Sequence, residues 1–108
     1  MAQINKPEDY FNTKLYTGDG NSTQAITGVG FQPDWVWQKR RDSATNNELT
    51  DAVRGINSTL VSNTTSAQDT GTDKLQSFDS DGFTVGGSST QNASGGTYAS
   101  WNWLADNT

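Results

Sequence analysis

All four tryptophans of this 108-residue chain fall in two short runs, Trp35-Val36-Trp37 and Trp101-Asn102-Trp103. Residues two apart share one face of an extended strand, so the spacing predicts strands over 34–39 and 97–104. In the first, Trp35 and Trp37 share a face and Val36 and Gln38 take the other; in the second, Ala99, Trp101 and Trp103 oppose Tyr98, Ser100, Asn102 and Leu104. Which face is buried follows from what else the chain has to bury. Leu, Ile, Val and Phe number only 17 (5, 3, 5 and 4), a fraction bordering on that of disordered chains. Burying two indoles on one strand is worth several kcal/mol, at about 25 cal/mol per Å2 and ~150–250 Å2 per ring. The four tryptophans are therefore expected in the core, with Tyr16 and Tyr98 as the surface aromatics.

The rest of the chain reads as short strands in a small polar coat, since Ser, Thr, Asn and Gly number 47 (11, 15, 10 and 11). Strands are expected at 13–17, 23–27, 59–61, 75–79 and 83–85. Gly18-Asp19-Gly20-Asn21 predicts a hairpin joining the first two, and Ser80-Asp81-Gly82 a hairpin joining the last two. Residues 1–11 form an arm, where Pro7 and the Asn5–Glu8 spacing of a capping box allow one helical turn over 6–11. Residues 48–54 fit a helical turn or a short strand, and both stay open. Loops are read at 40–47, 62–73 and 86–96, the last as a mobile surface connection. The fold class is all-β: a single antiparallel β-sandwich, jelly-roll-like, over 12–108 behind the short arm.

Several functions fall away on composition. No apolar run reaches the ~20 residues of a membrane helix, and the first residues lack the apolar stretch of a secretory signal. The chain has no Cys and no His, hence no thiolate nucleophile, no cysteine zinc site and no imidazole base. A net charge of -5 disfavours nucleic acid as a partner. The reading is a non-catalytic protein with no cofactor and no metal. A paired-carboxylate glycosidase is the one enzyme class left formally open, and most of the twelve acids lie in turn-like stretches that suit it poorly.

The candidate contact residues are few. Tyr10 and Phe11 have no place in a sandwich starting at Thr13, which makes them anchors for a neighbouring protein. Lys39-Arg40-Arg41 is the one basic cluster, and Arg40 and Arg41 are taken as contacts for an acidic partner, against the plainer reading of a solvated loop. Arg54 is three residues from Asp51, a spacing suited to an ion pair. Asp79-Ser80-Asp81-Gly82 has the start of a calcium loop but lacks its later ligands, so a turn is the simpler account, as for Asp69 and Asp73. Sequons at Asn21, Asn57, Asn63 and Asn92 are expected from composition alone.

Longer segments carry a resemblance. Phe11 to Gly18, Ile26-Thr27-Gly28-Val29-Gly30-Phe31-Gln32-Pro33-Asp34-Trp35-Val36-Trp37, Val53-Arg54-Gly55, Ser77 to Gly86 and Thr97-Tyr98 to Trp103 resemble a β-rich module of marine bacteriophage virion structural proteins and predicted tail fibres. The similarity runs from about residue 4 to 104, and Gly-Phe-Gln-Pro-Asp and Ser-Asp-Gly-Phe are its most specific parts. It implies a virion-surface protein made in the host cytoplasm, with no catalytic residues to carry over. A chain running only from Met1 to Thr108 favours a capsid decoration protein over a whole fibre.

Two functions follow as expectations. In the first, a structural module attaches to other virion proteins of capsid or tail by protein–protein contacts and self-associates as a homo-oligomer. In the second, an adhesin reads host-surface glycans through its long loops. Neither involves nucleic acid or membrane insertion.

Overall fold

The computed structural model describes residues 6–105. Eight strands make two antiparallel sheets: β1 (Phe11–Thr17), β2 (Gln24–Ile26), β3 (Trp35–Arg40), β4 (Glu48–Asp51), β5 (Leu60–Val61), β6 (Leu75–Asp79), β7 (Gly82–Val85) and β8 (Thr97–Trp103). One sheet has the order β1-β8-β3-β4-β5 and the other β2-β7-β6. The all-β sandwich expected from the alternation is the fold. A 3-10 turn over Pro7–Asp9 and a helical turn α1 (Ser89–Asn92) are the departures from it. Asn5 lies outside the described residues, so the capping box does not enter; β1 begins at Phe11, not at Thr13.

The expected β1–β2 hairpin does not form. β1 pairs with β8 and β2 with β7, so the two strands belong to different sheets. The segment between them docks on 92–96 instead: Gly20 N–H donates to the Asn92 carbonyl (3.0 Å), and Gly18 and 95–96 exchange backbone bonds at 2.8 and 3.0 Å. The approach is so close that a Cβ on Gly18 would lie 2.2 Å from the Ala93 carbonyl oxygen. The β6–β7 hairpin forms as read. Residues 48–51 resolve as strand, followed by a turn through Arg54.

The 86–96 segment is anchored, contrary to its flexible composition. Ser88 caps α1, and Gln91 and Asn92 are fully buried. The Ala93 N–H donates to Tyr98 Oη, which donates on to the Ser89 carbonyl, both at 2.8 Å. Amides that read as solvent-facing thus act as buried cross-links: Asn92 accepts from the Asp19 N–H and donates to the Asn21 carbonyl and the Asp19 carboxylate, and Gln91 donates to Glu48.

The tryptophans face outward, and this is the main correction to the sequence reading. The core consists of Tyr16, Ile26, Val36, Leu75, Phe83, Val85 and Tyr98, with Ile56 and Phe78 against it. Tyr16 stacks on Tyr98 at 5.1 Å and meets the Phe83 ring edge-on at 6.1 Å. Alternation is obeyed in both Trp strands, but with Val36, Gln38, Tyr98, Ser100 and Asn102 inward. The core is completed by the second sheet's Phe83, Val85 and Leu75, each wholly buried, so the five-stranded sheet contributes two tyrosines and one valine rather than four indoles.

Candidate functional site

The outer face of the five-stranded sheet is the most distinctive surface among the described residues. Cross-strand register builds it in rows. Phe11, Trp103, Trp35 and Asp51 stand opposite one another across β1, β8, β3 and β4; the next row is Thr13, Trp101, Trp37, Leu49 and Leu60; the third is Leu15, Ala99 and Lys39. Aromatic cross-strand pairs stabilise such a layer by roughly 0.2–1 kcal/mol each. They do not cover it. Leu15 keeps 56% of its surface exposed, Leu60 39%, and Phe11 and Trp35 37% each.

Ring geometry within the face is specific. Trp35 and Trp103 stack with centroids 4.4 Å apart and planes at 23°, and Phe11 lies 5.0 Å from Trp103 on the opposite strand. Trp103 therefore has a neighbouring ring on both flanks. Trp37 and Trp101 meet edge to face at 5.9 Å. Trp37, Trp101 and Trp103 line a recess of about 240 Å3. Trp37 Nε1 donates to Asn47 Oδ1 at 3.2 Å, which fixes that ring.

Charge is confined to the rim and is already partnered. Lys39 Nζ donates to the carbonyls of Arg40, Ser43 and Thr45 at 2.9, 3.3 and 2.7 Å, holding its own loop. Asp51 pairs with Arg54 at 2.7 Å, as their spacing indicates, and Arg54 also donates to Gln68 at 2.9 Å. Burial works against the Asp51 carboxylate, but the Arg54 backbone and guanidinium donors outweigh it and hold the group below its ordinary value.

The structure divides the contact residues chosen from sequence. Tyr10 and Phe11 are exposed, and Phe11 is the end of the aromatic row. Arg40 is engaged elsewhere: it pairs with Asp42 at 2.8 Å and lies 5.9 Å over the Tyr98 ring. Its hydrogen bond to Asp42 raises its pKa and lowers that of Asp42. Arg41 is exposed beyond the Arg40 end of β3, opposite to the Phe11 end of the sheet. The four residues therefore do not make one site. Tyr98 and Tyr16, expected at the surface, are core residues; burial pushes the Tyr16 phenol well up.

The aspartates of the motif segments serve the fold. Asp81 accepts from the Gly28 and Gly30 N–H groups at 3.0 and 2.7 Å, which hold its carboxyl below the ordinary range. Ser-Asp-Gly-Phe, one of the most specific parts of the resemblance, and Gly28-Val29-Gly30, whose last glycine opens the other, Gly-Phe-Gln-Pro-Asp, are thus the two halves of one joint between β2 and the β6–β7 hairpin. Asp79 turns another way, accepting from Ser77 and Thr84 hydroxyls at 2.7 and 2.6 Å. The two carboxylates do not converge, and no group of three or more His, Cys, Asp or Glu able to hold a metal occurs among the described residues. Asn92, one of the four sequon residues, is fully buried and donates to Asp19 and Asn21, leaving no room for a glycan.

Sequence reasoning missed a buried ionic cluster. Lys74 contacts the Glu48 carboxylate and lies 2.8 Å from Asp69, and Gln91 Nε2 donates to Glu48 at 3.2 Å. Its members come from β4, the 62–74 segment and α1, and no short-range spacing joins them. Leu15, Leu49 and Leu60 were missed as surface residues because each is an ordinary core residue type on a strand.

What this arrangement can do is bury apolar area against a partner. No curated protein and no solved structure matches the chain. One family model matches residues 6–108, that of a domain of unknown function, DUF7483. That match takes in nearly the whole chain, including every residue of the aromatic face, so the protein belongs to the DUF7483 family.

Proposed function

We propose that this protein is a non-catalytic structural module of the bacteriophage virion surface, a capsid decoration or appendage domain. It attaches by protein–protein contacts through the outer face of its five-stranded sheet. One observation carries the reading: all four tryptophans, Phe11, Leu15, Leu49 and Leu60 lie on that one face, with charge only at its rim. An apolar layer of this kind on a small domain marks a contact surface, and Trp is the residue type most enriched among the side chains that dominate binding energy. The phage setting is supported by the sequence resemblance, whose segments include β1, β8 and the tryptophans of β3.

The glycan-adhesin alternative has less behind it. A sugar platform needs an indole with its flat side open, whereas Trp103 is flanked by Phe11 and Trp35. The loops at 40–47 and 86–96 are tied down by Lys39, Tyr98 and Asn92.

The test is incorporation into particles. Phe11 belongs to β1, so a point substitution is preferable to deleting the arm. Wild-type chain and Trp101→Ser are each supplied during infection by a phage encoding a protein of this family, and purified particles are assayed by quantitative mass spectrometry. Wild type is expected in the particles, with the variant folded by circular dichroism but depleted at least tenfold. Wild type missing from particles overturns the virion reading. Equal incorporation of both removes the aromatic face from it. Binding of wild type, but not the variant, to a glycan array puts the adhesin reading in its place.

A further inference from the structure

We infer that the occupant of the aromatic face is a second copy of this chain, packed sheet against sheet about a two-fold axis. This deepens the reading above, on which it rests for the premise that the face is a protein contact.

Self-packing sets a condition that most apolar patches fail: one surface must present both the protrusion and the recess that receives it. This face does. Leu15 on β1 is its most exposed apolar side chain, and the Trp37–Trp101–Trp103 recess lies on the same side of the sheet, on the next two strands, β8 and β3. A cavity of ~150 Å3 already admits benzene, so 240 Å3 accommodates a branched aliphatic side chain. A two-fold operation that brings one copy's Leu15 to the partner's recess returns the reciprocal contact. Sheets stack face to face about 10 Å apart with strands near -30°, which would place two five-stranded layers between two three-stranded ones.

Charge does not oppose the pairing. The chain carries -5, and two copies of it repel at long range. Within the face, however, the charged residues are Lys39 and Asp51, the first bonded to its own loop and the second paired with Arg54. Area is at the lower limit. With strands of seven, seven, six, four and two residues at about 3.3 Å per residue and roughly 4.8 Å apart, the flat footprint is roughly 400 Å2 per copy, or about 800 Å2 in all, and the relief of the exposed side chains brings it toward the ~1,000 Å2 of a specific interface. The interface is therefore expected to be reversible, with dimer and monomer both seen on dilution.

All four tryptophans lie on the face, so the protein contains its own probe. Sedimentation equilibrium from micromolar to millimolar chain concentration is measured beside tryptophan emission on the same samples. The expected result is a monomer–dimer equilibrium in which emission shifts to the blue as dimer forms. Leu15→Glu, at an exposed position that leaves the core intact, is expected to stay monomeric and red-shifted throughout, with unchanged circular dichroism. Leu60→Glu supplies a second variant should the first fail to fold. A wild-type chain that is monomeric at millimolar concentration overturns the inference. So does a dimer whose tryptophan emission does not move, because it pairs through an edge, or a folded Glu variant that dimerises like wild type. The outcome is separable from that of the attachment reading: a monomer whose Trp101→Ser variant is lost from particles has a different partner on the same face, and a dimer whose variant is retained attaches elsewhere.

Discussion

Replacing Lys74 by methionine tests the least expected feature of the interior. The substitution keeps most of the side-chain stem and removes the ammonium that contacts Glu48, whose side chain is only 3% exposed. What remains beside the Glu48 carboxylate is one neutral donor, Gln91 Nε2. Breaking a buried ion pair from one side typically costs about 3–5 kcal/mol, because the other charge stays desolvated and unpaired. A domain of this length has about 5–15 kcal/mol in total, so Lys74→Met is expected to lose about a fifth or more of its stability. At ~4–8 °C per kcal/mol for a domain of roughly this size, the melting temperature falls by about 12 °C or more. Glu48→Gln is milder, since Lys74 keeps Asp69. The double variant Glu48→Leu/Lys74→Met removes both charges and returns to within about 2 kcal/mol of wild type, the remainder being the cost of the Gln91 amide left without its acceptor. Proton linkage gives a second signature. Burial opposes the Lys74 ammonium, but its bonds to Asp69 and Glu48 win and raise its pKa, so its contribution is complete below the ordinary lysine value and is lost as pH rises through the raised one. Asp69 is held low by Lys74 and the Gly71 N–H, so its contribution is present above the ordinary carboxyl value and is lost as pH falls. Urea unfolding of the four proteins at several pH values measures all of this. A Lys74→Met protein within ~1 kcal/mol of wild type at neutral pH, or a double variant no better than the single, refutes the reasoning.

Three further outcomes are expected. Tyr98→Phe removes the hydroxyl joining the Ala93 N–H to the Ser89 carbonyl and is expected to cost about 1–3 kcal/mol in urea unfolding, with faster amide exchange confined to 88–96. Gly82→Ala places a Cβ 1.9 Å from the Ile26 carbonyl oxygen, so β2 must leave β7, and the protein is expected to lose about 3 kcal/mol or more and express poorly. The carboxyls of Asp19, Asp51, Asp69 and Asp81 are all held below their ordinary value by donors of the folded chain, so the folded state binds fewer protons than the unfolded one and stability drops as pH falls from about 5 toward 2; Asp81→Asn flattens that acid limb, measured as the urea midpoint against pH.

Strand positions were legible where turn chemistry bounded them. Asp81-Gly82 marks a tight turn between two apolar-alternating runs, and the hairpin forms there. Gly18-Asp19-Gly20-Asn21 carries the same local signal and makes no hairpin, because its backbone donors bond to Asn92 and Gly96 from the far end of the chain. No local pattern separates the two cases; the difference lies in a partner more than 70 residues away. The same holds for 86–96, where Gly and Ser suggest a linker while Gln91 and Asn92 act as cross-links. Sequence composition reports what a segment can do in water, not what amide partners the fold brings to it.

The inverted faces have a deeper reason. Alternation says that Trp35 and Trp37 lie together and Val36 and Gln38 lie together, but it is symmetric under exchange of the two faces. Hydrophobicity breaks that symmetry only if the more apolar face goes inward, and in β3 and β8 it does not. The inward set, Gln38, Ser100 and Asn102 with Val36 and Tyr98, is the more polar one, and Glu48 and Thr50 extend it onto β4. An isolated monomer built this way buries amides and a carboxylate while leaving its largest apolar rings partly in water, so part of the free energy its composition can supply goes unused. Contact with the proposed partner on the outer face would recover it. Any such partner binds the folded chain and not the unfolded one, which makes the stability of this domain depend on association. The rule that put the tryptophans inside thus errs in its unit rather than in its physics: it treats one sandwich as the whole apolar structure, whereas on the proposed reading a second layer on the Trp face completes it.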